Sequence, residues 1–85
     1  MTKKVNPTAV LRRFDSKTGE LQQERLTVTP VDLLLESFNE CWPFHKTHEG
    51  TVLGRKTYIV YVYTTNDDYM SDNPLYTFTI DPLEA

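Results

Sequence analysis

Residues 57–65 form a stretch of the chain that is apolar on both of its faces. Because successive side chains of a strand point to opposite sides of a sheet, two sets of apolar residues stand back to back here. One set is Ile59, Tyr61 and Tyr63, and the other is Tyr58, Val60 and Val62. A half-exposed antiparallel strand would instead alternate apolar with charged residues. The pattern predicts a central strand that is covered on both sides, or covered on one side and left as an apolar binding surface on the other.

Three further stretches have the composition of strands. Residues 8–14 and 22–28 flank a segment in which Gly19 suits the left-handed position of a type I turn with a bulge, and together they predict a β-hairpin. Residues 75–80 predict the last strand, in which Tyr76, Phe78 and Ile80 face inward. Residues 43–55 are predicted as a loop, and residues 66–74 as a long acidic hairpin connection.

A single helix is predicted between Pro30 and Trp42. Thr29 is a good N-cap residue, and proline is favoured at the first helical position. Pro43 disfavours helical angles at Trp42, so the helix ends there. The spacing i, i+3, i+4, i+7 assigns one buried face to Val31, Leu34, Leu35, Phe38 and Trp42.

These elements predict an α+β fold with the order ββαββ. The sheet is expected to have four antiparallel strands in the spatial order 2-1-3-4, with the helix packed on one face. Eighty-five residues are expected to form one domain, 1–85. A chain of this size buries roughly 60–65 % of its unfolded surface, which disfavours a deep catalytic pocket. No enzyme activity is therefore expected.

Charge is divided unevenly along the sequence. The formal net charge is −3, yet all nine Lys and Arg residues lie between Lys3 and Lys56. Residues 57–85 contain only acidic charges, at Asp67, Asp68, Asp72, Asp81 and Glu84. Such a division steers a basic partner toward the acidic end. It argues against direct binding of nucleic acid, because phosphate contacts need Lys and Arg.

Cysteine content and hydropathy favour a cytoplasmic protein. The single cysteine, Cys41, excludes an intramolecular disulfide. The sequence has neither a signal peptide nor a run of about 20 apolar residues that would span a bilayer. No membrane contact and no cofactor are expected.

Two groups of residues could in principle bind a metal ion, and each has a simpler interpretation. Cys41, His45 and His48, with Glu49 beside them, have a spacing that zinc accepts. No second cysteine supports that site, and a buried Cys41 beside exposed loop histidines is the favoured interpretation. Calcium at the acidic connection lacks the central Gly and the final bidentate Glu of an EF-hand loop, so a solvated turn is favoured there.

The acidic connection is instead the predicted site for a partner protein. Its aspartates would pair with Arg and Lys side chains of the partner, while Tyr69 and Met70 supply apolar contact area. The residues assigned to partner binding are Asp67, Asp68, Tyr69 and Asp72.

Two parts of the chain carry a resemblance to a known class of protein. They are Glu24-Arg25-Leu26-Thr27-Val28 with Val31-Asp32, and Tyr58, Tyr61 and Tyr63-Thr64-Thr65-Asn66. In these segments the chain resembles small phage-encoded anti-CRISPR proteins directed at type I systems. The resemblance implies a compact α+β protein that binds a CRISPR effector complex stoichiometrically and blocks its basic target-DNA site.

The expected function is therefore that of a non-catalytic, protein-binding inhibitor. A phage-encoded protein of this kind is expected in the host cytoplasm. Its partner would be a host protein or ribonucleoprotein complex with a basic surface, and the inhibitor itself a monomer or homodimer. Two alternatives stay open. One is a phage or bacterial accessory or assembly protein that self-associates through the exposed face of strand 57–65, and the other is a Cys/His metal-binding domain.

Overall fold

Five antiparallel strands form one sheet across residues 7–83, the part of the chain that this computed structural model describes. The strands are β1 (Ala9–Asp15), β2 (Leu21–Thr27), β3 (Phe44–Val52), β4 (Arg55–Tyr63) and β5 (Tyr76–Pro82). The helices are α1 (Val31–Cys41) and α2 (Asn66–Met70). In space the strands follow the order β2-β1-β5-β4-β3.

The predicted ββαββ fold with four strands and one helix is wrong. Part of the expected loop at 43–55 is the edge strand β3, and part of the expected connection at 66–74 is the short helix α2. The predicted order 2-1-3-4 is wrong as well, because the last strand lies next to β1 and β4 lies beyond it. Most of β3 is exposed, so its fold does not require apolar residues at alternate positions. Because that pattern is absent, the sequence did not predict this strand.

The β1–β2 hairpin turns at the predicted segment. The side chain of Asp15 accepts a hydrogen bond from the backbone N–H of Lys17 at 2.8 Å, and the N–H of Gly19 donates to the Asp15 carbonyl at 2.7 Å. Gly19 has φ of 76°, the left-handed conformation for which glycine was predicted there.

Helix α1 packs on the sheet through the face that the sequence predicts. Leu34 and Phe38 are buried, and Val31, Leu35 and Trp42 pack against the same cluster. The sheet contributes Ala9, Leu11, Val60, Val62 and Ile80 to it. The predicted cap is wrong: the N-cap residue is Pro30, and no side chain caps this end of the helix.

Strand β4 has its two apolar faces in different surroundings. Tyr58, Val60 and Val62 face α1, where Val60 and Val62 belong to the core. Ile59, Tyr61 and Tyr63 point to the opposite side of the sheet. That side has no long helix over it in residues 7–83, and only α2 packs at one corner. We call it the open face.

Candidate protein-binding surface

The open face draws side chains from all five strands. Strand register fixes its members, since paired residues share a face and residues two apart along a strand share it too. Its central members are Val10, Arg12 and Phe14 on β1, Thr77, Thr79 and Asp81 on β5, and Thr57, Ile59 and Tyr61 on β4. Leu26 and Glu24 on β2 and Phe44, Lys46 and His48 on β3 flank them.

Much of the open face is apolar and in contact with solvent. Val10, Phe14, Ile59 and Tyr61 are half-buried, and Leu26 and Val52 at its two sides are exposed. Near the β3–β4 turn the face dips into a shallow groove of about 300 Å³, whose lining includes Val10, Val52 and the exposed Leu83. Exposed apolar residues grouped on one face of a sheet are typical of interaction sites.

A charged network crosses the middle of the open face. The guanidinium of Arg12 donates to Glu24 at 2.6 Å and to Asp81 at 2.5 Å, and the Thr57 hydroxyl also donates to Asp81. The hydrogen bond from Arg12 to Glu24, aided by the charges of both carboxylates, raises the pKa of Arg12. These four residues link β2, β1, β5 and β4 side by side.

Helix α2 and the turn after it form an acidic corner, residues 66–72, at the margin of the open face. The hydroxyl of Thr65 caps the helix by accepting from the N–H of Asp68 at 3.1 Å. Tyr69 packs against Tyr63 and Phe44 with ring centroids 5.5 and 6.3 Å apart. The ammonium of Lys46 lies 4.9 Å from the Tyr69 ring centroid. The ring of Tyr69 therefore fastens α2 to the sheet.

Asp72 is held by two groups of the sheet. The Tyr63 hydroxyl donates to its carboxylate at 2.5 Å, and the Lys46 ammonium lies 3.6 Å from the same oxygen. The hydrogen bond from Tyr63, followed by the charge of Lys46, lowers the pKa of Asp72. Burial, followed by the bond to Asp72, raises the pKa of Tyr63 well above its usual range.

The carboxylate of Asp68 is also hydrogen-bonded, whereas the carboxylate of Asp67 has no partner in residues 7–83. Asp68 accepts from the Thr64 hydroxyl at 2.8 Å and from the Asn73 amide at 3.4 Å, and the bond from Thr64 is the main reason that its pKa is lowered. The exposed carboxylate of Asp67 makes no bond to any residue between 7 and 83.

The four residues predicted for partner binding thus come together at one corner, but in different states. Asp68, Tyr69 and Asp72 hold α2 and its turn in place, and Asp67 is available to a partner. Residues 57–85 contain no Lys or Arg, yet basic side chains from other strands reach two of their acids in the fold. Lys46 pairs with Asp72 and Arg12 pairs with Asp81, because the sheet brings distant strands together.

The proposed zinc ligands do not meet. His45 pairs with Val62 on the helix side of the sheet, and its Nδ1 lies 2.7 Å from the Trp42 carbonyl oxygen. His48 points to the open face, where its ring lies 5.5 Å from that of Tyr61. Cys41 is exposed rather than buried, which corrects the favoured interpretation of this residue. Nowhere in residues 7–83 do three potential metal-binding side chains gather.

Sequence reasoning missed most of the open face outside β4. A signal was present in β1, where Val10 and Phe14 interleave with the core residues Ala9 and Leu11. Like β4, β1 has apolar residues on both faces. Lys46 gives no such signal, because β3 is mostly exposed and its sequence lacks the apolar alternation of a strand.

Neither helix in residues 7–83 has the length and apolar character needed to cross a membrane. Comparison of the chain with protein-family models, with curated proteins and with solved structures found no match.

Proposed function

We propose that this chain is a non-catalytic protein-binding domain that docks a partner with a basic and apolar surface onto its open face and acidic corner. It would act as a stoichiometric inhibitor by occupying a surface that the partner uses for nucleic acid. The observation that carries the proposal is the exposed apolar surface of the open face beside the acidic corner. Tyrosine, phenylalanine and arginine, which that face contains, are enriched at protein interfaces.

The charges of this side of the sheet favour a basic partner. Five carboxylates lie on the open face or at its corner, at Glu24, Asp67, Asp68, Asp72 and Asp81. Arg12 and Lys46 offset part of this charge through their ion pairs, and Arg55, paired in register with Val52, brings a third positive charge to the face. The acidic excess would speed encounter with a basic surface, and the apolar residues would supply most of the buried area.

The form of inhibition rests on the resemblance to anti-CRISPR proteins of type I systems. A DNA path lined with basic side chains has the charge that the acidic corner complements. We therefore propose a type I CRISPR effector complex in the bacterial cytoplasm as the first partner to test.

Two tyrosines of β4 provide a matched test of the docking face. Tyr61 is half-buried on the open face, and Tyr58 is half-buried on the helix side of the same strand. We expect Tyr61→Ala to weaken binding to a purified type I effector complex by about tenfold or more, measured by surface plasmon resonance. Tyr58→Ala should leave affinity unchanged once circular dichroism shows that both variants are folded. Equal losses in the two variants would contradict docking through the open face.

Asp67 tests the contribution of the acidic corner. Asp67→Lys should weaken the same complex and reduce the salt dependence of its association rate, because a partner cation loses its counter-charge. Asp32→Lys is the matched control, since Asp32 is an exposed acid in the first turn of α1. Asp68→Lys and Asp72→Lys are unsuitable, because they would also remove hydrogen bonds that hold α2. Affinity that is indifferent to Asp67→Lys would remove the corner from the site.

Self-association is the second candidate function, and the apolar open face is the observation that favours it. Light scattering on the purified chain distinguishes self-association from binding to a different partner. A dimer that Tyr61→Ala converts to monomer would assign the open face to a second copy, whereas a monomer that binds the effector complex supports the inhibitor.

A further inference from the structure

A second apolar groove lies on the helix side of the sheet, between α1 and the β1–β2 hairpin. It encloses about 180 Å³. Its apolar lining consists of Leu11, Leu34, Phe38, Trp42 and Phe78. Ser37, Cys41 and Arg25 complete the lining and give the groove a polar margin. Ligand pockets for larger molecules typically measure about 300–1,000 Å³, so this groove suits a short apolar chain.

Arg25 lines this groove and Arg13 lies beside it on the neighbouring strand, and neither has a carboxylate partner in residues 7–83. Arg25 on β2 is paired in register with Leu11, and Arg13 on β1 is paired with Phe78. Both therefore neighbour a lining residue, and they occupy the same face of adjacent strands two positions apart. The backbones of diagonal neighbours in such a pair lie about 7–8 Å apart, so both positive charges belong to the same side of the groove.

The guanidinium of Arg13 has an unmet hydrogen-bond donor. Its carbon Cζ lies 5.0 Å from the centroid of the Tyr76 ring, and its Nε is buried with no hydrogen-bond partner. No carboxylate in residues 7–83 neutralises this guanidinium, so it would attract a negative charge brought into the neighbouring groove. The nearby acids are otherwise placed: Glu24 pairs with Arg12 on the open face, and Asp15 binds the hairpin turn.

From this arrangement we infer that the groove binds a small amphipathic carboxylic acid. Its apolar chain would fill the cavity between Phe38 and Leu11, and its carboxylate would accept hydrogen bonds from Arg25 and be attracted by the nearby charge of Arg13. Guanidinium groups recognise carboxylates through strong, charge-assisted bonds. The groove and the open face are on opposite sides of the sheet, so this inference is independent of the proposed function.

The chain contains one tryptophan and one cysteine, and both line the groove. The intrinsic fluorescence of Trp42 and the rate of Cys41 alkylation therefore report directly on its occupancy. We expect sodium octanoate to change Trp42 fluorescence saturably in the millimolar range or below. It should slow alkylation of Cys41 over the same concentration range.

Two further probe molecules test the carboxylate and the apolar chain of the ligand one at a time. Acetate has the carboxylate without the chain, and 1-octanol has the chain without the carboxylate, so both should bind more weakly than octanoate. Arg25→Gln should weaken octanoate binding by about tenfold, the effect of losing one charge-assisted bond, and Arg13→Gln should weaken it too. Lys17→Gln, in the exposed hairpin turn, should leave it unchanged.

The inference fails if octanoate neither changes the fluorescence nor protects Cys41. It also fails if 1-octanol binds as tightly as octanoate, or if Arg25→Gln and Lys17→Gln behave alike while circular dichroism shows both variants folded. The exposed side chain of Arg25 makes no hydrogen bond or ion pair with residues 7–83, so Arg25→Gln tests ligand binding with little effect on folding.

Discussion

Leu53 has a backbone conformation that suits its side chain poorly. It shares the two-residue β3–β4 turn with Gly54, and the φ values are 52° and 78°. Two left-handed residues at such a turn are typical of type I′, for which Asn-Gly is preferred. The Leu53 side chain is 98 % exposed, so packing with the described chain does not offset this strain.

Replacing Leu53 should therefore stabilise the protein. We expect Leu53→Asn to raise the free energy of unfolding by about 1 kcal/mol, because asparagine tolerates left-handed angles. Urea denaturation followed by circular dichroism measures this change. Leu53→Ala is the control, since it shortens the side chain and keeps the strain. Equal stabilisation by alanine and asparagine would show that the backbone conformation is not the cause.

Asp72 couples the stability of the acidic corner to pH. Its folded-state pKa is lowered by the Tyr63 hydroxyl and then by Lys46. The unfolded chain therefore takes up the proton first, and the stabilising contribution is complete above the ordinary pKa of 3.8. It is lost as pH falls through the lowered value.

Removing either Asp72 or its hydrogen-bond donor Tyr63 should reduce the loss of stability at low pH. We expect Asp72→Asn and Tyr63→Phe each to lower the melting temperature at pH 7 and to show a shallower loss of stability below pH 3.8. Thermal melts across a pH series measure both effects. If the hydrogen bond between Tyr63 and Asp72 causes the pH dependence, the double variant should show the same dependence of melting temperature on pH as each single variant. If Tyr63→Phe reduced the pH sensitivity further in a chain that already carries Asp72→Asn, Tyr63 would be acting through another acid, such as Asp68.

At the level of elements, α1 is held by a few large side chains. Phe38 is 7 % exposed and its ring lies 4.9 Å from that of Phe78. Leu33, on the same helix, is 52 % exposed. Substitutions of Phe38 and Leu33 therefore distinguish the contribution of packing on the sheet from that of helix formation.

Truncation of Phe38 should be severe. Phe38→Ala is expected to cost about 3–5 kcal/mol, a large share of the 5–15 kcal/mol that stabilises a typical domain. Leu33→Ala should change stability by less than about 0.5 kcal/mol. Urea titrations of both variants provide the comparison, and a small effect of Phe38→Ala would mean that α1 is not docked through this face.

Elements with a strong local signal could be predicted, and those without it could not. The buried face of α1 follows from its apolar spacing, and the β1–β2 turn follows from Asp15 and Gly19. Strand β3 could not be found, because Phe44–Val52 is an edge strand with mostly exposed side chains. Five-residue α2 has no buried residue and so no apolar period.

At the scale of the molecule, strand order had the weakest basis in the sequence. Local patterns do not say that β5 inserts between β1 and β4, since that choice depends on contacts between distant residues. The same limit applies to the candidate site. Asp67, Asp68, Tyr69 and Asp72 lie together because they are close in sequence, but Lys46 and Arg12 reach the acidic residues only through strand pairing.

The central position of β5 also determines when the protein can fold during its synthesis. Among the described residues, β5 is the only strand that joins the β1–β2 hairpin to the β3–β4 hairpin. Each hairpin can form within microseconds, but pairing of β1 with β5 must wait until residue 82 has left the ribosome. Until then the edge of β1 and the apolar face of α1 stay uncovered, the kind of surface that chaperones recognise and that aggregates when left exposed. Late closure between distant strands also implies slow folding for so short a chain.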